Sequence, residues 1–255
     1  MGILQEGSSI DTYRVQRLLK ENEYTETYTV VSEDNNTYFL KLYVLKRTPA
    51  KLICKEEHKV KEIATLRKIQ HINVVSYIND GSIDSPVGEC QYVVTSYFTG
   101  EVLADRIARD GKLDEQTATR IFTGILNGLK CLHEAGICHN DISPANIMLS
   151  ESLQGEPELI DMGHASEPSE GNVSFVTSDL DVRYCANLTA SGFFDESTDI
   201  FSAFAVLYAM LTGSAPWELE TESGDSFAIL INRMKRFRQS NPLDLDTLQV
   251  SDKLK

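Results

Sequence analysis

The hydrophobic period changes along the chain, and this limits the fold more than any other feature. TETYTVVS (25–32) and NTYFLKLYVL (36–45) are rich in Thr, Tyr, Val and Leu, as strands are, and SEDNN between them reads as a turn. The pair predicts a β-hairpin. In KLICKEEHKVKEIATLRKIQ (51–70) the apolar residues Val60, Ile63, Leu66 and Ile69 recur at helical spacing, with Glu57 and Lys61 paired i,i+4 on the wet side, so a helix is expected there. NVVSYI and CQYVVTSYF add two strands before Gly100 breaks the pattern. Beyond it the chain turns helical. Asp114 is placed to cap EQTATRIFTGILNGLKCLHEAG, whose stripe is Ile121, Ile125, Leu129 and Leu132, and Gly136 stops it. DIFSAFAVLYAML (199–211) is apolar on nearly every face and predicts a central buried helix. Strands first and helices later predict an α+β chain with segregated layers: a β-rich lobe over residues 1–96 and a mainly helical lobe over 97–255.

A formal net charge of -14 argues against duplex nucleic acid and against an anionic membrane surface as partners. No apolar run reaches membrane-spanning length, and MGILQEGSSI carries no signal-peptide core. Glu6 fits the myristoylation pattern poorly. The five cysteines are scattered, odd in number and without a C-x-x-C pair, as expected of thiols in a reducing compartment. A cytoplasmic protein is expected. Nothing in the sequence fixes an oligomeric state.

The chemistry concentrates in HNDISPANIML (139–149). Asp141 lies in a loop between a helix and the short apolar stretch NIML, and ELIDMG (158–163) follows with Asp161. If the two stretches form a hairpin, Asp141, Asn146 and Asp161 come to one rim. Asp161 and Asn146 offer the hard oxygens that magnesium takes alongside phosphate and water, and Asp141 is left to accept a hydroxyl proton. Upstream, Lys41 sits on a strand between Leu40 and Leu42 and needs a partner, for which Glu62 is the candidate.

These residues resemble the eukaryotic-type (Hanks-type) protein kinase catalytic domain, in a divergent form that points to a Ser/Thr kinase. The catalytic loop H-R-D-L-x-x-x-x-N is similar to His139-Asn140-Asp141-Ile142 with Asn146; D-F-G is similar to Asp161-Met162-Gly163, and V-A-I-K to Tyr38-Phe39-Leu40-Lys41. STDIFSAFAVLYAMLTGSAPW resembles the family's central helix, with Asp199 expected to hold the catalytic loop's backbone. The resemblance implies a bilobal protein-kinase-like fold that transfers the γ-phosphate of ATP to a protein Ser/Thr hydroxyl. It implies Mg-ATP between the lobes, with the base against Ser96, Tyr97 and Phe98 and with Thr95 at the back of the pocket. Lys41, oriented by Glu62, would hold phosphates, Asn146 and Asp161 would bind Mg2+, and Asp141 would take the proton. Two other readings stay open: a pseudokinase acting as a scaffold, and a small-molecule kinase of the aminoglycoside or choline type.

The sequence departs from the family pattern in several places. LLKENEYTETYTV (18–30) has no glycine where a glycine-rich loop is expected, and Glu21, Glu23 and Glu26 add negative charge, so weaker nucleotide affinity is expected. Asn140 replaces the loop arginine that commonly meets an activation-segment phosphate, and Ser143 replaces a lysine. Ala186-Asn187-Leu188 stands for A-P-E, and Asp181 stands where a threonine is usual. Ser166, Ser169, Ser174, Thr177 and Ser178 read as a polar loop, with autophosphorylation as the alternative. His139 reads as a packed structural histidine. RMKRFR (233–238) reads as a solvated helix face. The helical lobe reads as truncated after SFAILINRMKRFRQS, with an apolar surface left open.

Overall fold

The computed structural model describes residues 2–54, 57–151, 155–168, 180–219, 225–243, 248 and 250–251. The chain divides into two compact units, Met1–Phe98 and Thr99–Lys255.

The first unit is built on a six-stranded sheet. Its strands are β1 (Ser9–Ile10), β2 (Tyr13–Glu21), β3 (Thr25–Ser32), β4 (Thr37–Val44), β7 (Tyr77–Ser85) and β8 (Gly88–Ser96), in the order β1-β2-β3-β4-β8-β7. All pairings are antiparallel. The predicted hairpin is β3–β4, closed where the Ser32 N–H donates to the Asn36 carbonyl. One sheet face carries the core: Tyr28, Val30, Leu40, Leu42 and Val94 are at most 1% exposed. Fully burying one such side chain contributes about 1.5–3 kcal/mol. Gly2–Leu4 straps this face. The Ile3 N–H donates to Glu26 Oε2 at 2.8 Å and the Leu4 N–H to Tyr28 Oη at 3.0 Å, while Ile3 and Leu4 pack on the core.

The turn joining β2 to β3 explains how the sheet does without glycine. Asn22 Oδ1 accepts from the Tyr24 N–H at 3.1 Å and the Thr25 N–H at 2.8 Å, and the Asn22 N–H donates to the Thr25 carbonyl. An asparagine side chain here satisfies the backbone, and no residue of β2, β3 or their turn needs a positive φ. Glu26 is buried and accepts from Ile3 and the Tyr28 hydroxyl. It therefore serves the amino-terminal strap and adds no charge to a phosphate-facing loop, which corrects the expectation for that residue.

The helix expected over 51–70 is much shorter. Among the described residues the only α-helix there is α1 (Lys61–Leu66), preceded by a ribbon of β5 (Ile53–Cys54) and β6 (Lys59–Val60). Helical spacing lost to tertiary hydrogen bonds. Gln91 on β8 accepts from the Val60 N–H at 2.9 Å through Oε1 and donates to the His58 carbonyl at 2.9 Å through Nε2. Glu57 precedes the helix, so it is not a helical i,i+4 neighbour of Lys61.

In the second unit, β9 (Gly100–Val102), β10 (Ile147–Ser150) and β11 (Glu156–Leu159) form a small sheet in the order β11-β10-β9. Gly100 is itself in a strand, and glycine is needed there because a Cβ would run into the Leu149 carbonyl oxygen. The helices are α2 (Leu103–Asp110), α3 (Glu115–Glu134), α4 (Glu196–Thr212) and α5 (Phe227–Ser240). Asp114 caps α3 by accepting from the Thr117 N–H at 2.9 Å, and the predicted stripe Ile121, Ile125, Leu129 and Leu132 is at most 1% exposed. A capping box of Asp195 and Thr198 starts α4, and Gly213 at φ 87 ends it. Most of α4 is buried as expected, but Phe204 is 55% exposed beside Phe122. Among the described residues no helix is long and apolar enough to cross a membrane.

Candidate active site

In the first unit, strand parity sets the site-bearing face. Directly paired residues share a face, so Thr27, Lys41 and Val93 lie in one row and Thr29, Phe39 and Thr95 in the next. Lys41 Nζ reaches Glu62 Oε2 at 2.8 Å, and Glu62 on α1 is 6% exposed. The Tyr43 hydroxyl donates to the same carboxylate oxygen, and Lys41 lies over the Tyr43 ring at 5.6 Å. A carboxylate this buried is stable only when hydrogen-bonded and paired, and here two donors meet it. Sequence reasoning missed Tyr43. Its position two residues after Lys41 was the available signal, since i and i+2 share a strand face. Ser96 pairs with Tyr38 at the end of β8, and its Oγ accepts from the Ser76 N–H at 3.2 Å. Phe98 is half-buried, and the exposed Tyr97 rests on Phe39 with ring centroids 4.8 Å apart.

In the second unit the expected hairpin forms. Ile147 pairs with Leu159, and the Ile160 N–H donates to the Asn146 carbonyl at 3.0 Å. This brings Asp141, Asn146 and Asp161 to one end of it. Asn146 Nδ2 donates to Asp141 Oδ2 at 2.7 Å and to the Asp141 carbonyl at 2.9 Å, and its amide oxygen makes no hydrogen bond among the described residues. Asp161 has φ 62, a left-handed backbone that aspartate tolerates because its carboxylate bonds locally, here accepting from the Gly163 N–H at 3.2 Å.

Asp199 fixes the loop, as expected. It is 1% exposed, and its oxygens accept from the backbone N–H groups of His139 and Asn140, each at 2.8 Å. His133 Nε2 lies 2.9 Å from it. His133, Cys138 and Asp199 lie within 4.8 Å of one another, yet Asp199 is already satisfied and burial pushes the Cys138 thiol up to about 12, so the cluster is structural and not a thiolate metal centre. His139 is fully buried and its pKa is lowered by that burial. Neutral, it donates from Nε2 to the Ile160 carbonyl and accepts the Asp141 N–H on Nδ1, a packed structural histidine.

Asn140, where the family has arginine, stitches the loop to the segment after Asp161. It takes φ 67, and Nδ2 donates to the His164 carbonyl at 2.8 Å and Ser166 Oγ at 2.9 Å, beside a bridge between Cys138 and Ser166. Ser166 is 8% exposed, which removes it from the accessible phosphorylation sites. Ser169, Ser174, Thr177 and Ser178 lie outside the described residues. Ser143 is buried, and Asp181 pairs with Arg183 at 2.7 Å.

RMKRFR is not a solvated face throughout. Arg236 is exposed, Arg233 pairs with Asp225 at 2.5 Å, and Arg238 is buried. The spacing Ile231, Met234, Arg238 marks the buried stripe of α5 and was the missed signal.

The sequence matches the family model of the protein kinase domain over residues 13–253. It is 32% identical over 175 residues to the probable serine/threonine-protein kinase PknB of Bifidobacterium longum, covering 65% of this chain and 24% of that protein. It is 30% identical over 168 residues to a probable serine/threonine-protein kinase of Clostridium perfringens, covering 65% of this chain and 23% of that protein. A CBL-interacting protein kinase of Oryza sativa subsp. japonica is 25% identical over 217 residues, covering 81% of this chain and 39% of that protein. The chain thus spans about a quarter of the length of the first two relatives. With the α+β architecture, the Lys41–Glu62 pair and the Asp199-held loop in place, the chain belongs to the protein kinase family.

Proposed function

We propose that this chain is a Mg2+- and ATP-dependent kinase domain acting on Ser or Thr hydroxyls of proteins. The observation that carries the reading is the Asp141 carboxylate, held by Asn146 at 2.7 Å in a loop whose backbone Asp199 fixes. Lys41, oriented by Glu62 and Tyr43, would hold phosphate oxygens as a point charge. Asp161 and the Asn146 amide oxygen are hard ligands of the kind Mg2+ takes, and the ion would neutralise charge on the phosphates. Thr95, Ser96 and Phe98 would border the base. In the transfer, a bond forms between the substrate oxygen and the γ-phosphorus as the β,γ-bridging bond breaks. ADP leaves, and Asp141 takes the hydroxyl proton. Positioning and charge stabilisation supply most of the acceleration.

The glycine-free β2–β3 turn gives fewer backbone N–H groups to phosphate, and the exposed Glu21 and Glu23 repel it, so ATP affinity is expected to be low for this family. The Asn140 bonds are uncharged, which supports activity without activation-segment phosphorylation. Five cysteines without a disulfide suit the reducing cytoplasm.

The test is incubation with γ-labelled Mg-ATP, a generic acceptor protein and, separately, small alcohols. Label on protein Ser or Thr in the wild type supports the proposal. An ATP-induced rise in melting temperature without transfer points to a pseudokinase. Transfer to small alcohols alone points to a small-molecule kinase.

A further inference from the structure

Helix α1 is too short to place itself. Isolated helices below about 12–15 residues are marginal in water. α1 has six residues, and its N-cap is Val60, whose side chain cannot accept a hydrogen bond. The sheet supplies the seat. Asp80 of β7 pairs with Val93 and Ser82 with Gln91, while Val93 pairs with Lys41 and Gln91 with Tyr43. Directly paired residues share a face, and so do residues two apart on a strand. Lys41, Tyr43, Gln91 and Asp80 therefore project from one side of the sheet.

All four hold α1 or the residues that flank it. Lys41 and Tyr43 bond Glu62. Gln91, 6% exposed, takes the entry: Oε1 accepts from the Val60 N–H and Nε2 donates to the His58 carbonyl, each at 2.9 Å. Asp80, its side chain 3% exposed, takes both ends. Oδ2 accepts from Lys59 Nζ at 2.9 Å, two residues before the helix, and Oδ1 accepts from Arg67 Nε at 2.6 Å, directly after it. The Tyr77 hydroxyl also donates to Oδ1, at 2.5 Å.

A buried aspartate facing two cations is a weak source of net stability, because desolvation offsets much of the attraction. What it adds is direction. Val60, Ile63 and Leu66 are at most 1% exposed, but apolar attraction alone does not fix a helix's rotation. A slip of one residue turns a helix by about 100°, enough to carry Glu62 away from Lys41. Ties at both ends forbid that slip.

We propose that Asp80 and Gln91 are positioning residues for nucleotide: they clamp both ends of α1 to the sheet and so hold Glu62 where it orients Lys41 toward phosphate. Every group of the clamp lies in the unit Met1–Phe98. This inference rests on the kinase reading above.

The experiment compares wild type, Asp80→Asn and Gln91→Leu by amide hydrogen exchange and by steady-state transfer, varying ATP and acceptor protein independently. Asp80→Asn keeps the acceptor for Tyr77, and Lys59 and Arg67, 22% and 46% exposed, can turn to water, so this variant folds. Exchange over Lys61–Arg67 should speed about tenfold in each variant, with that of β4 and β8 unchanged. KM for ATP should rise about three- to tenfold, and KM for acceptor protein less than about twofold. In a Glu62→Gln background Asp80→Asn should raise KM for ATP less than about twofold further, because its effect passes through Glu62. Unchanged exchange over α1 overturns the inference, as does equally faster exchange of the strands, which marks a general structural role. A full effect of Asp80→Asn in the Glu62→Gln background also overturns it. A wild type that neither binds ATP nor labels protein overturns the kinase reading and this inference with it. That failure is told apart because it precedes any comparison of variants.

Discussion

Glu158 pairs with Met148 in the β10–β11 ladder and is 2% exposed, and its carboxyl makes no hydrogen bond or ion pair among the described residues. Burial raises its carboxyl from the ordinary 4.5 to about 8. Between those values the unfolded chain is ionised while the folded chain keeps the proton. The folded state therefore binds more protons, and stability falls as pH rises. The slope is about 1.4 kcal/mol per pH unit for one group, which makes the loss about 3 kcal/mol at pH 7 and about 5 kcal/mol once pH passes the folded pKa. Glu158→Gln removes the titration and keeps the shape. Urea unfolding of both proteins from pH 4.5 to 9 reads the difference directly. The offset at pH 4.5 records the burial of the amide itself, and the growth of the difference above that pH is the test. The variant should gain on the wild type by about 3 kcal/mol between pH 4.5 and 7 and level off above pH 8. A difference that stays constant over this range would refute the reasoning, because the carboxyl would then titrate alike in both states.

Three further outcomes follow from named contacts. Asp199→Ala strands the N–H groups of His139 and Asn140, so denaturant unfolding should show a loss of about 2–6 kcal/mol at about 1–3 for each buried unsatisfied group. Tyr43→Phe removes one donor from Glu62 and leaves Lys41 in place; KM for ATP should rise about three- to tenfold, equivalent to about 1 kcal/mol, with little change in melting temperature. Gly2→Val puts a Cβ 2.6 Å from the Tyr28 hydroxyl and displaces the amino-terminal strap, so thermal unfolding should register about 1–3 kcal/mol of destabilisation.

Much of this was legible where local pattern and tertiary context agree. The β3–β4 hairpin, the Asp114-capped α3, the buried α4 and the turn carrying Asp141 each combine a clear period with a cap or turn residue. Lys41 with Glu62 was legible because a lysine among apolar strand residues demands a partner. The failures have physical causes. The ribbon at Ile53–Val60 depends on Gln91, more than thirty residues away, which no local window contains. The strand at Tyr77–Ser85 hides behind NDGSIDS because it is an edge strand, and Asp80, 3% exposed within it, is neutralised by Lys59 at 2.9 Å and Arg67 at 2.6 Å from outside the strand. Glu26 read as a loop charge because its partners, a backbone N–H at Ile3 and a tyrosine on its own strand, carry no sequence signature.

The most direct measurement is single-turnover transfer from γ-labelled Mg-ATP to an acceptor protein by wild type and Asp141→Asn, with ATP binding to each followed by melting temperature. The wild type should label serine or threonine. Asp141→Asn should bind ATP within about twofold and transfer at least about a hundredfold more slowly, since general-base contributions run from about 10² to 10⁴. Equal transfer rates in the two proteins, with equal ATP binding, would contradict the assignment of Asp141 and with it the proposed chemistry.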